Sequence, residues 1–156
     1  MIQNIIDFVG KTKSNLRLRT LCSSISREDK ETFDLLLSDT DLKEVLVSES
    51  PLLLGIAVAE VSDIYYLKKL LALGLDPNRP DNMGLYPIHK ATETGNVEAV
   101  EVLLNSAADP NAADPSGVTA LHIANSFDGL SEISDLLIRM GANIYQRDKL
   151  GKRYLM

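Results

Sequence analysis

Self-similarity at a fixed interval limits what this chain can fold into more than any other feature. Asp81-Asn82-Met83-Gly84 returns as Asp114-Pro115-Ser116-Gly117 and again as Asp148-Lys149-Leu150-Gly151. The glycines stand 33 and 34 residues apart, His89 and His122 stand 33 apart, and Asp76-Pro77-Asn78 returns 33 residues on as Asp109-Pro110-Asn111. A unit this short cannot bury an apolar face by itself, so copies must stack and share one continuous core. Each copy continues through a glycine turn, Gly95 or Gly129, into a leucine-rich segment, Val102-Leu103-Leu104 or Leu136-Leu137-Ile138. Val97, Val100, Leu103 and Leu104 recur at helical spacing and form one apolar stripe. Glycine at 84, 117 and 151 suits a tight turn with positive φ. Pro87 fits a first helical turn, Thr119 is an N-cap candidate, and Ala91 and Ala124 are small enough for close helix approach.

Tyr86-Pro87-Ile88-His89-Lys90-Ala91 and Thr119-Ala120-Leu121-His122-Ile123-Ala124 resemble the Thr-Pro-Leu-His-x-Ala motif of ankyrin repeats. The resemblance covers roughly nine-tenths of the chain and is tightest in the last two full units. It implies an all-α ankyrin-repeat solenoid of about four helix-turn-helix repeats with short β-hairpin loops, forming a single domain over 1–156. An N-terminal capping helix is expected over 1–13, repeats at about 14–47, 48–80, 81–113 and 114–147, and a partial C-terminal repeat over 148–156. The register predicts helix pairs near 54–73, 87–105 and 120–139, with hairpin turns around 80–84 and 113–117. Thr20-Leu21-Cys22-Ser23-Ser24 falls where the motif should stand in the first unit, with Phe33, Leu36 and Leu37 on its second helix. The chain departs from the pattern where Tyr86 replaces the capping Thr and Ala120 the helix-starting Pro. It departs again where Leu54-Gly55-Ile56 lacks the histidine, and where one residue is inserted within Asn125–Asp128.

Little in the residues suggests catalysis. His89 and His122 share one motif position, where the resemblance implies an imidazole that ties neighbouring loops together by hydrogen bonds. One cysteine and two histidines a repeat apart offer no metal-ligand spacing, so no metal and no cofactor are expected. No glycine-rich phosphate loop follows a strand and no G-x-S-x-G elbow is present, so the chain is expected not to be an enzyme. Cys22 matches the histidine position of the first unit and is expected to fill a buried, small apolar role. It cannot form an internal disulfide, which points to an intracellular, cytoplasmic protein, with a secreted effector as the alternative. Ile2, Ile5, Ile6 and Val9 make an amphipathic stripe without a basic n-region, fitting an end cap rather than a signal peptide or a membrane anchor. Tyr154 and Leu155 are expected to pack on the fourth repeat while Lys152 and Arg153 stay in water.

The net charge of −6 argues against nucleic acid as partner. Charge is uneven: six acids face one base from Asp81 to Asp114, whereas five bases face Asp148 from Arg139 onward. The resemblance implies binding of a protein partner on the concave surface of hairpin tips and first helices. The positions expected there are Leu52, Glu60, Val61, Asn82, Met83, Leu85, Glu93, Val118, Ser126 and Phe127. Leu52, Met83, Leu85, Val118 and Phe127 are apolar where water-facing residues are expected, and Glu60, Asp81 and Glu93 are expected to steer association. A monomeric, stand-alone adaptor is the expectation. The alternatives are a stoichiometric inhibitor or immunity-type protein, and a bacterial effector-type adaptor acting on host proteins.

Overall fold

The computed structural model describes residues 16–38, 46–47, 50–59 and 63–153. Helix α1 is formed from residue 16 to residue 26. After it come α2 (Lys30–Leu37), α3 (Ser50–Ala59), α4 (Ile64–Ala72), α5 (Pro87–Glu93), α6 (Val97–Asn105), α7 (Ala120–Ser126) and α8 (Ser131–Arg139). Extended pairing among the described residues is confined to two isolated antiparallel bridges, Ala113 with Thr119 and Arg147 with Arg153. The fold is all-α, as the repeat register predicts.

Short polar side chains decide where the helices begin. Asp29, Asp63 and Asn96 accept N–H bonds from Thr32, Tyr65 and Ala99 at 3.0, 2.9 and 3.0 Å, so orphan donors are satisfied at the starts of α2, α4 and α6. Pro87 opens α5 with no N–H to leave unpaired. The second helices close with a residue in the left-handed region, Gly74 at φ 92°, Ala107 at 66° and Gly141 at 96°. The next N–H in each case returns to a carbonyl five residues back, as Leu75 to Leu70 at 3.3 Å and Ala142 to Leu137 at 2.9 Å.

Within a pair, α3 packs on α4, α5 on α6 and α7 on α8. Across pairs, α3, α5 and α7 form one row, and α4, α6 and α8 another. Leu53, Leu54, Leu67, Leu70, Ile88, Val100, Leu103, Leu121, Ile133 and Leu137 are buried between the rows. At the N-terminal side Phe33 meets the rings of Tyr65 and Tyr66 edge-on, at 6.4 and 4.9 Å between centroids. No helix among the described residues is long and apolar enough to cross a membrane.

Three local expectations change. Thr20 is not at a helix start: its hydroxyl bonds back to the Leu16 carbonyl at 3.0 Å, inside α1, which already runs from residue 16. The end of the unit keeps the register, Asp29 N–H returning to the Ser24 carbonyl as Asn96 N–H does to that of Ala91. Cys22 is half-buried against the core rather than enclosed. The first helix of the second pair starts at Ser50, one turn before position 54, because Pro51 presets φ at its first turn. The amphipathic segment Met1–Val9, and Tyr154 and Leu155, lie outside the described residues.

Candidate protein-binding strip

Each hairpin is built around one aspartate. Asp81 Oδ1 accepts the N–H groups of Met83 and Leu85 at 2.9 and 3.0 Å, while Asp81 N–H reaches the Leu85 carbonyl at 2.9 Å. Asp114 does the same with Ser116 and Val118, and Asp148 with Leu150 and Lys152. Turns organised in this way by an Asx side chain hold their tip residues out from the backbone.

The hairpins also stack on one another. A methyl group on Gly84 would come within 2.5 Å of the Pro115 ring, and one on Gly117 would meet Lys149 N at 3.1 Å and Asp148 Cα at 3.2 Å. Lys149 N–H donates to the Ser116 carbonyl at 2.9 Å, whereas Pro115, at the corresponding place one hairpin earlier, has no N–H to offer. His89 is fully buried: its Nδ1 accepts Tyr86 N–H at 3.1 Å, and its Nε2 donates to the Ala112 carbonyl at 3.0 Å in the next hairpin. His122 repeats this, from Thr119 N–H at 3.2 Å to the Lys152 carbonyl at 3.3 Å. Burial holds the His89 imidazole below its ordinary pKa, against the raising effect of the Ala112 carbonyl. With both ring nitrogens occupied, these histidines are ties between repeats. The Tyr86 side chain makes no cap bond, so only the imidazole half of the capping box stands there, while Thr119 keeps both halves.

On this frame the tip position carries Met83, Ser116 and Leu150 in successive hairpins. Met83 is 75% exposed and Leu150 84%. Asn82 is exposed beside Met83, and Glu93 and Ser126 are exposed at the ends of α5 and α7. The inserted residue explains Phe127. Helix α5 ends in a tight cap, with Gly95 at φ 69° and Asn96 N–H returning to the Ala91 carbonyl at 3.1 Å. Helix α7 cannot close this way, because its loop is one residue longer and Phe127 is extended at φ −121°, ψ 131°. The ring is left 58% exposed.

Other expected positions behave differently. Leu85 and Val118 are half-buried on the returning arm of each hairpin, their N–H groups held by Asp81 and Asp114, so they are not water-facing tips. Asp81 is no steering charge either: it is ion-paired with Lys90 at 2.7 Å. Burial works against ionisation, but the Lys90 ammonium and the Leu85 and Met83 N–H groups hold its carboxyl below the usual range. Lys90 reaches it across Gly55 of α3, where a methyl group would stand 3.1 Å from Nζ. Leu52 lies in the first turn of α3, but its side chain, like Glu60 and Val61, is outside the described residues. Leu150 was legible only as the residue before Gly151, 34 after Ser116. No group of three or more His, Cys, Asp or Glu side chains among the described residues is placed to hold a metal ion.

The family model described as ankyrin repeats, in three copies, matches residues 54–148. Comparison with curated proteins finds no match.

Proposed function

The chain belongs to the ankyrin-repeat family, and on that premise we propose that it binds one protein partner, without catalysis, along the strip of hairpin tips and first-helix ends. Leu52, Glu60, Val61, Asn82, Met83, Leu85, Glu93, Val118, Ser126 and Phe127 belong to the proposed strip, with Met83 and Phe127 as its anchors. What supports this reading is that two large apolar side chains are held in water by well-defined backbone, one by an Asx-organised turn and one by a lengthened loop. Exposed apolar groups on ordered backbone cost little conformational entropy to bury against a partner.

The experiment is affinity capture with the full chain, followed by binding of the captured partner to Met83→Ala, Phe127→Ala and Glu101→Ala. Glu101 is exposed on α6, in the other row of helices, and serves as control. Each strip variant is expected to lose about 2 kcal/mol, about thirtyfold in affinity. Being surface changes, both should alter stability by only about 0.5 kcal/mol. If the control weakens binding while both strip variants bind normally and stay folded, the partner uses another face. Stoichiometric loss of the partner's own activity on binding would make the chain an inhibitor rather than an adaptor.

A further inference from the structure

The hairpin over residues 147–153 differs from the two before it in one respect. Arg147, Lys149, Lys152 and Arg153 are all exposed, whereas the corresponding positions one hairpin back are Ala113, Pro115, Val118 and Thr119, and none of these is charged. Arg147 and Arg153 face each other across the antiparallel bridge that Ala113 and Thr119 form in the preceding hairpin. Like charges directly opposite on an antiparallel pair repel, so the placement opposes folding unless an anion lies against it. The one acid in the segment, Asp148, sits inside the turn with Oδ1 accepting the Leu150 and Lys152 N–H groups at 2.9 and 2.8 Å, and it forms no ion pair with another described residue. None of the four cations forms an ion pair with another described residue. The Arg147 guanidinium is held over the turn by a 3.0 Å bond to the Gly151 carbonyl. Leu150, 84% exposed, and Tyr145, 71% exposed, add apolar surface to the same end of the molecule.

We propose that this hairpin is the receiving site for a short acidic segment of the protein partner, whose Asp or Glu carboxylates bind the opposed Arg147 and Arg153 while an apolar side chain packs on Leu150. Paired guanidinium groups match carboxylate geometry, since each presents a planar fork of donors. A short peptide fits better than nucleic acid or an anionic membrane. The cations are confined to one hairpin of a chain whose net charge is −6, and an extended polyanion would meet repulsion beyond it. The inference rests on the proposed function only in taking the partner to be a protein.

The test is selection of short random peptides displayed on phage against the full folded chain, followed by synthesis of the enriched sequences. The comparison variant is Arg147→Ala/Arg153→Thr, which installs the pair that the preceding hairpin carries and should fold at least as stably as the parent. Peptides combining an acidic cluster with an adjacent apolar residue should be enriched. They should bind the double variant about tenfold or more weakly, and bind the parent less well as salt rises. Enrichment of neutral or basic peptides, or equal binding to parent and variant, would overturn the proposal. So would tighter binding of single-stranded DNA or phosphatidylserine vesicles than of the selected peptides. Met83→Ala/Phe127→Ala is measured in parallel with the captured partner. Loss there, with no loss in the arginine variant, would retain the strip and remove the hairpin. The reverse result would retain the hairpin and remove the strip.

Discussion

At the scale of single residues, two buried polar groups make opposite demands. Tyr66 is fully buried among Phe33 and Tyr65, and its hydroxyl has no hydrogen-bond partner among the described residues. An unsatisfied buried hydroxyl costs about 1–3 kcal/mol. Tyr66→Phe keeps the ring and its edge-on contacts, so chemical denaturation should show the variant more stable by about 1 kcal/mol. His89, by contrast, is satisfied only while neutral, because protonated Nδ1 could no longer accept Tyr86 N–H. Its folded-state pKa is lowered, so the unfolded chain takes up the proton first as pH falls. The stability it contributes is complete above the ordinary value of 6.5 and is lost as pH drops below it. Melting temperature should therefore decline on acidification through that value, and His89→Gln should flatten the decline. The position of His89 was legible from the motif, and Tyr66 falls within the helix pair expected near 54–73. The missing partner of Tyr66 was not legible, because it depends on which groups the folded chain brings near the ring.

At the scale of elements, the hairpins matter most. Gly117 has φ 80° and lies against the backbone of the next hairpin, so a side chain there is opposed twice. Gly151 has φ 78° with no described residue within 4 Å of its Cβ direction. Gly117→Ala should therefore lower stability by more than Gly151→Ala, with about 1–2 kcal/mol expected for the second from backbone strain alone. Equal losses in thermal melts would show that hairpin stacking contributes nothing. The repeat pattern identified both glycines and their positive φ. It could not separate them, since close approach is a relation between two copies. Ala107 teaches the converse: it holds a left-handed conformation at φ 66° where Gly74 and Gly141 stand in the neighbouring repeats. Alignment alone shows an alanine there without showing the conformation imposed on it.

At the scale of the molecule, successive repeats are joined by a ladder of asparagines. Asn78 Nδ2 donates to the Ala107 carbonyl at 2.8 Å and its Oδ1 accepts Asp109 N–H at 2.7 Å. Asn111 does the same with the Gly141 carbonyl at 3.2 Å and Asn143 N–H at 2.6 Å. Tyr145 stands where the next rung would be, one period on. In a stack whose stability is a sum of units and nearest-neighbour interfaces, one rung acts on one interface. Asn111→Ala should cost about 0.5–1.5 kcal/mol, the net worth of an intramolecular hydrogen bond, since the freed carbonyl and N–H are exposed and can turn to water. Hydrogen exchange should then speed up in α7 and α8 more than in α3 and α4. A uniform increase along the chain would instead mean that the repeats unfold as one unit.

The period of 33 and 34 residues by itself determined the helix pairs and the turn glycines, because each follows from local geometry repeated in register, and the resemblance to ankyrin repeats implied the two histidine ties. The period also marked the inserted residue in the last interhelix loop. Only the tertiary structure decided which apolar residues face water. Leu85 and Val118 turn half inward on the returning arms, whereas Met83, Leu150 and Phe127 are held outward. Only the structure showed that Asp81 is paired with Lys90, and that Arg147 opposes Arg153. The physical reason is common to all of these: exposure, ion pairing and cross-strand opposition are set by what the neighbouring repeat or the facing strand supplies, and a linear pattern records only what each repeat contains.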